Sequence, residues 1–101
     1  MLGYVATHGT VPAVRKVPYD AVKDFTAIAM VAGTPNVLVV SSGVPVSDLK
    51  GFVDYAKKNK VNYGSAGQGS LTHLAMEQFR TAAGFDAVHA AYRGIGPAIT
   101  D

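Results

Sequence analysis

Apolar and polar positions along the second half of the chain fall into blocks, each as long as one secondary-structure element. The β-branched run Val37–Val40 predicts a strand that is buried on both faces. Apolar residues then recur at helical spacing from Leu49 to Ala56, which predicts an amphipathic helix. A short strand at Val61–Tyr63, a helix that follows Ser70 and a strand at Ala87–Tyr92 come next. This order is typical of an α/β fold, a parallel sheet between two layers of helices.

Cap and turn residues mark where these helices begin and end. Ser47 is the predicted N-cap of the first helix, and Ser70 is the predicted N-cap of the second. Gly84 is a natural residue to end the second helix in a left-handed conformation. Pro97 suits the first position of a further helix, which runs only to Asp101.

The first 36 residues show shorter patterns. Apolar stretches at Met1–Ala6 and Thr26–Ala32 predict two strands, and the segment 12–18 between two prolines predicts a turn of helix. Asp20 is placed to cap another short helical turn. A strand that starts at the first residue and a helix that stops after one turn indicate a sheet cut at both ends.

Composition limits the classes of function. Of the 101 residues, 49% are hydrophobic and 16% are charged, which suits one small packed unit. The nine basic residues are scattered, so we expect no nucleic-acid partner. The absence of cysteine excludes disulfides and thiol chemistry, and the three dispersed histidines suggest no metal site. We expect no cofactor.

The glycine-rich segment Gly64–Ser70 is the most informative feature of the sequence. It joins a predicted strand to a predicted helix, and ligands of open α/β sheets bind at this end of the strands. Glycines let backbone N–H groups point inward, and the helix N-terminus adds a partial positive charge. Ser65, Ser70 and Thr72 could add hydroxyl donors. The segment is therefore either an anion site or a plain connector, and it matches neither nucleotide-binding motif.

A hydrolase is the alternative from another class. Ser70 and His73 lie three residues apart, the spacing of a nucleophile and its base on one helix face. The sequence lacks a nucleophile elbow and a clear acidic partner for the histidine. His73 could equally pack at the helix start or donate to a ligand. A third possibility is an α/β remnant without activity.

Several blocks occur in a characteristic order: Pro18–Phe25, Pro35–Val40, Asn62–Ser70 with Thr72–Leu74, Val88–His89 with Tyr92–Gly94, and Pro97–Ala98 with Thr100–Asp101. Together they resemble the receptors of tripartite tricarboxylate transporters, often called Bug receptors. Thr7 and His8, with Pro12 downstream, resemble the family's segment before the first block. The similarity extends over essentially the whole chain.

The resemblance implies a partial periplasmic-binding-protein type II (flytrap) fold, truncated at both ends, in which two lobes close on a ligand. Residues 1–36 would belong to the first lobe and lead to the hinge, and residues 37–101 would belong to the second. It also implies a periplasmic protein that catalyses nothing, binds a small carboxylate and delivers it to membrane permease subunits. Alone, the chain should bind a carboxylate weakly or not at all, and it should be marginally stable or self-associate. The expected ligand-binding residues are Thr7, His8, Ser65, Ala66, Gly67, Gln68, Gly69, Ser70, Thr72 and His73.

Overall fold

A computed structural model describes all 101 residues of the chain. The regular elements lie mostly in the second half, and none of the helices has the length and hydropathy of a membrane span. A π-helical turn, Ala6–Thr10, leads directly into the first α-helix. In chain order the elements are α1 (Val11–Val14), α2 (Leu49–Lys58), β1 (Val61–Ser65), α3 (Leu71–Ala83), β2 (Ala87–Ala91) and α4 (Ile95–Thr100).

The sheet consists of β1 and β2, which pair in parallel. The register runs from Val61 opposite Ala87 to Ser65 opposite Ala91. The helix α3 forms the crossover between them, as parallel strands require. The parallel β–α–β arrangement predicted from the sequence is confirmed.

The core lies between the sheet and one face of α2 and α3. Phe52 of α2 stacks on Phe79 of α3, with ring centroids 6.2 Å apart. The edge-on ring of Phe85 lies 5.9 Å from Phe52, and Met76 completes the buried cluster. The amphipathic face that the sequence predicts for α2 is the face that packs here, because Phe52 and Ala56 are its two buried residues.

The last helix covers the other face of β1. A Cβ placed on Gly64 would lie 3.4 Å from the Cβ of Ala98 and 3.3 Å from the ring of Tyr92. Since Tyr63 packs against the core and successive residues of a strand face opposite sides, Gly64 faces α4. The close approach of α4 depends on this glycine, and the result is the expected layering of helix, sheet and helix.

The helix caps agree with the sequence prediction at two ends and differ at two. Ser70 caps α3 by accepting from the backbone N–H of His73, and Gly84 ends it with a φ of 70°. The cap of α2 is Asp48 rather than Ser47, because the Asp48 carboxylate accepts from Gly51 N at 2.6 Å. The helix α4 begins at Ile95, two residues before Pro97, because Gly94 makes the turn with a φ of 117°.

Three predicted strands are wrong. Met1–Ala6 gives way to the π-helical turn, because the N–H and C=O of Tyr4 both bond to Thr7 Oγ1 and its C=O also accepts from His8 N. Thr26–Ala32 and Val37–Val40 are without regular secondary structure, and Val37 and Val39 are 82% and 76% exposed. Neither segment pairs with the sheet, and β-branched residues form strands only where a neighbour accepts their hydrogen bonds. The helical turns predicted near Pro12 and after Asp20 are present.

Candidate functional site

The glycine-rich segment forms a turn at the carboxyl end of β1, in the position that the sequence predicts. Gly67 and Gly69 have φ values of 129° and 77°, which side-chain-bearing residues rarely adopt. A Cβ on Gly67 would also lie 3.3 Å from the backbone oxygen of Tyr92. The turn therefore needs glycine at both positions, and it packs against the residue that follows β2.

Ser65 lies beneath this turn and has no exposed surface. Its Oγ is 2.6 Å from His89 Nε2 and accepts from Gly67 N at 3.2 Å. The Ser65 hydroxyl also donates to the backbone oxygen of Gly67, again at 3.2 Å. The hydroxyl expected to contact a ligand thus supports the loop from below.

Side chains at the start of α3 accept from two backbone N–H groups of the loop. Ala66 N donates to Thr72 Oγ1, and Gly69 N donates to His73 Nδ1, both at 3.1 Å. Because Nδ1 accepts this bond, neutral His73 carries its proton on Nε2. These contacts fix the loop onto the first turn of the helix.

Three neighbouring N–H groups have no acceptor within the chain: those of Gln68, Leu71 and Thr72. Leu71 and Thr72 are the first two residues of α3, where the helix cannot supply acceptors and its dipole is positive. Gln68 is exposed at the tip of the loop. The arrangement offers three donors to an acceptor from outside the chain.

The hydroxyls of Ser70 and Thr72 add one further donor. Their oxygens are 3.0 Å apart, so one of the two hydrogens joins them. Ser70 Oγ also accepts from His73 N, and Thr72 Oγ1 accepts from Ala66 N. One hydroxyl hydrogen of the pair therefore remains for a ligand. Three N–H groups and one O–H group equal in number the roughly four acceptor positions of a carboxylate.

A stack of three rings lies behind the loop. His73 and His89 are nearly parallel, with centroids 3.9 Å apart, and the Tyr63 ring packs beside both, 4.9 Å from His89 and 6.4 Å from His73. Burial, and then the neighbouring His73, lower the pKa of His89. No cluster of three potential metal ligands forms here or elsewhere in the chain. His89 faces the loop because the strand register places it opposite Tyr63. The spacing of residues along the sequence does not reveal this pairing.

The one acidic side chain of α3 is held away from the loop by its own partners. Glu77 accepts from the Tyr63 hydroxyl at 2.6 Å and from two nitrogens of Arg80 at 2.9 and 2.8 Å. The Arg80 bonds, followed by that of Tyr63, lower the pKa of Glu77 to about 2. Burial and the Glu77 bond raise the pKa of Tyr63 to about 12. The carboxylate is thus paired and neither serves as a base nor stands unpaired near an anion.

Thr7 and His8 are occupied within the N-terminal segment. Thr7 Oγ1 bonds to both backbone groups of Tyr4 and lies 2.8 Å from His8 Nδ1. The His8 ring packs edge-on against Phe25, with centroids 4.7 Å apart. The structure does not bring these two side chains to the glycine-rich loop.

The residue of this segment that lies against the loop is Thr10. Its Cγ2 would be 3.4 Å from a Cβ on Gly69. The sequence analysis missed Thr10, because a single threonine in a short irregular segment gives no signal without the three-dimensional contact.

Neither serine of the site has the geometry of a hydrolase nucleophile. Ser70 Oγ bonds to the backbone N–H of His73, whereas the ring nitrogen of His73 accepts from Gly69. Ser65 is close to His89, but it has no exposed surface for a substrate to approach. A triad needs an accessible hydroxyl bonded to a base that a third group orients.

The comparisons with known proteins agree with one another. A curated protein of Pseudomonas sp. strain P51, described as a UPF0065 protein in the tcbD-tcbE intergenic region, is 34% identical over 88 residues, which are 85% of this chain and 26% of that protein. Protein BugT of Bordetella pertussis is 29% identical over 87 residues, or 84% of this chain and 27% of BugT. The chain spans about a fifth to a third of the length of the relatives it matches.

A solved structure described as a periplasmic transporter superimposes on 96% of this chain and 34% of its own, with a TM-score of 0.85 and 42% identity. Its description agrees with the expected periplasmic location, and its similarity supports the partial periplasmic-binding fold. The model of the tripartite tricarboxylate transporter family receptor, a receptor family rather than an enzyme family, matches residues 1–101. The chain therefore belongs to the tripartite tricarboxylate transporter receptor family.

Proposed function

We propose that the chain is part of a periplasmic solute receptor and that residues 64–72 bind a carboxylate group of a small organic acid. The observation that carries this proposal is the set of open backbone donors at Gln68, Leu71 and Thr72. They lie where two glycines with positive φ meet the N-terminus of a 13-residue helix. Such a terminus favours anions through its N–H groups and its dipole together.

In this proposal the residues expected from the sequence divide into two groups. Gln68, Ser70 and Thr72 contact the carboxylate. Ser65 and His73 form the second group together with Ala66, Gly67 and Gly69, whose N–H groups bond to Thr72, Ser65 and His73. This group holds the loop in the shape that leaves the donors free. The roles of Thr7 and His8 as contacts from a facing lobe remain predictions, as does the division of the chain into lobes at residue 36.

The expected affinity of the chain alone is low. Each hydrogen bond at a site open to water contributes about 0.5–1.5 kcal/mol. Four such bonds, reduced by the ordering cost of association, give a dissociation constant of about 1 mM or weaker, since 1 mM corresponds to about 4.1 kcal/mol. In a receptor of the family, closure of a second lobe would add donors and exclude water. Transfer of the bound acid to permease subunits of the transporter is the corresponding proposed role.

The proposal is tested by ligand-observed NMR titration of the chain with succinate, citrate, glutamate and benzoate. We expect binding of at least one acid near 1 mM. Gly67→Val should weaken it at least about tenfold, because the side chain would strain a φ of 129° and meet Tyr92 O.

Gly33→Val is the matched control, since a Cβ added at Gly33 has no heavy atom within 4 Å. Equal affinities for the two variants would mean that the loop is only a connector. No binding of any acid by the wild-type chain would contradict the carboxylate proposal itself.

A further inference from the structure

One edge of the sheet is open. The strand β1 pairs with β2 on one side only, where Ser65 O accepts from the N–H of Tyr92. Because the backbone groups of successive residues in a strand point to opposite sides, those of Asn62 and Gly64 point away from β2. Both residues are exposed. Two N–H groups and two C=O groups therefore lie unpaired along this edge, which is the arrangement that accepts a further strand.

The open edge faces a groove whose opposite wall is the segment Val37–Val40. The four side chains of this segment are 82, 48, 76 and 44% exposed, in chain order. This alternation has the period of two that strands show, although the segment belongs to no sheet. The molecule thus carries both an open strand edge and an unpaired segment with the side-chain alternation of a strand.

Within one copy of the chain, the groove separates this segment from β1. A second copy offers the same segment as a strand that can enter the groove. We propose that two copies exchange Val37–Val40 reciprocally, so that each lays its segment along the open edge of β1 in the other. A reciprocal exchange has two-fold symmetry and closes, so it produces a dimer rather than a filament. The six strands then follow the order β2, β1, segment, segment, β1, β2.

The size and charge of the groove suit this occupant. Full burial of a Val or Leu side chain removes roughly 60–120 Å² of apolar surface from water. At their exposed fractions, the four side chains and the groove surface that they cover come to roughly 500 Å² per copy, or about the 1,000 Å² in total that a specific interface needs. The only charged residues that line the groove are Lys60 and Asp101, which have opposite signs. The dimer should therefore be weak, with its register set by backbone hydrogen bonds.

The test is sedimentation equilibrium of the wild-type chain from about 10 µM to about 1 mM, where we expect a monomer–dimer equilibrium with a dissociation constant of about 100 µM. Val37→Lys should weaken the dimer at least about tenfold, because a charged side chain opposes pairing at a strand edge. Val22→Lys is the matched control, since Val22 is 84% exposed and lies in the helical turn after Asp20. It adds the same charge and should leave the dissociation constant unchanged.

Amide hydrogen exchange gives the second readout. In wild type, the N–H groups of Asn62 and Gly64 should exchange more slowly at about 1 mM than at about 10 µM, and this difference should decrease in Val37→Lys. A chain that stays monomeric at about 1 mM would leave the groove to a different occupant and overturn the inference. It is also overturned if both lysine variants weaken association alike, if larger species form without a dimer, or if a dimer forms while these two amides exchange unchanged. None of these outcomes depends on carboxylate binding, so the proposed function is tested separately.

Discussion

Residues 37–40 have a stronger strand-forming pattern than residues 61–65, yet only the second segment forms a strand. Val61–Ser65 pairs along its whole length with β2, which the crossover helix α3 brings alongside it. Val37–Val40 lies across a groove from β1 and lines that groove together with Asn62 and Tyr63 of β1. It makes no ladder hydrogen bonds there, although β1 has only one neighbour.

The difference shows what a β-branched run does and does not determine. It fits a half-buried pleated surface, but the strand itself exists only when a partner takes up its backbone groups. A local crossover supplies this partner for β1, whereas nothing in residues 1–48 supplies it for Val37–Val40. The stability of the chain should therefore come from residues 49–101, where the buried hydrophobic residues all lie.

The largest expected effect is the loss of a core ring. Phe52→Ala should lower the free energy of unfolding by about 3–5 kcal/mol, because Phe52 is 7% exposed and contacts two other rings. Ile28→Ala is the matched control in residues 1–48, where Ile28 is 97% exposed, and it should change stability by less than about 0.5 kcal/mol. Urea denaturation measures both. Comparable losses would mean that residues 1–48 have a core of their own.

A smaller effect is expected at the helix cap of the site. Ser70→Ala should cost about 1 kcal/mol, because it removes the acceptor of His73 N at the start of α3. Ser41 holds Gly43 N only weakly, at 3.4 Å in an exposed turn, so Ser41→Ala should be close to neutral. The same Ser70→Ala variant should show no change in ester hydrolysis. Hydrolysis that disappears with Ser70 would contradict the receptor assignment.

The smallest effect is a pH dependence that arises at His89. Its pKa lies below the usual value of about 6.5, so as the pH falls through 6.5 the unfolded chain binds the proton first and stability decreases. Above that pH both states are neutral and the contribution is fully present. Glu77, with its lowered pKa of about 2, adds a loss of stability only as the pH falls from about 4.5 to about 2.

The difference in thermal unfolding temperature between about pH 7.5 and about pH 5.5 isolates the histidine contribution from that of Glu77. His89→Gln should reduce the difference between the two conditions, whereas His8→Gln should retain it, since His8 lies in the N-terminal segment with Phe25. An unchanged difference in His89→Gln would show that another group is responsible.

The parts of the fold that follow from local chemistry could be predicted from the sequence. The capping of α3 by Ser70, its termination at Gly84 and the glycine-rich turn all depend on residues within a few positions of each other. The contacts of His89 and Thr10 could not be predicted from the sequence, because they depend on strand register and on packing between distant segments. For the same reason the sequence predicts Ser65 as a ligand contact, whereas His89 and the loop enclose it.

The most direct test of the central claim is to follow the backbone amide shifts of the ¹⁵N-labelled chain during titration with an acid that binds. We expect the largest and saturable changes at Gln68, Leu71 and Thr72, whose N–H groups have no acceptor in the chain, and little change along α2. Saturable changes centred elsewhere, with these three amides unmoved, would contradict the assignment of the carboxylate site to this loop.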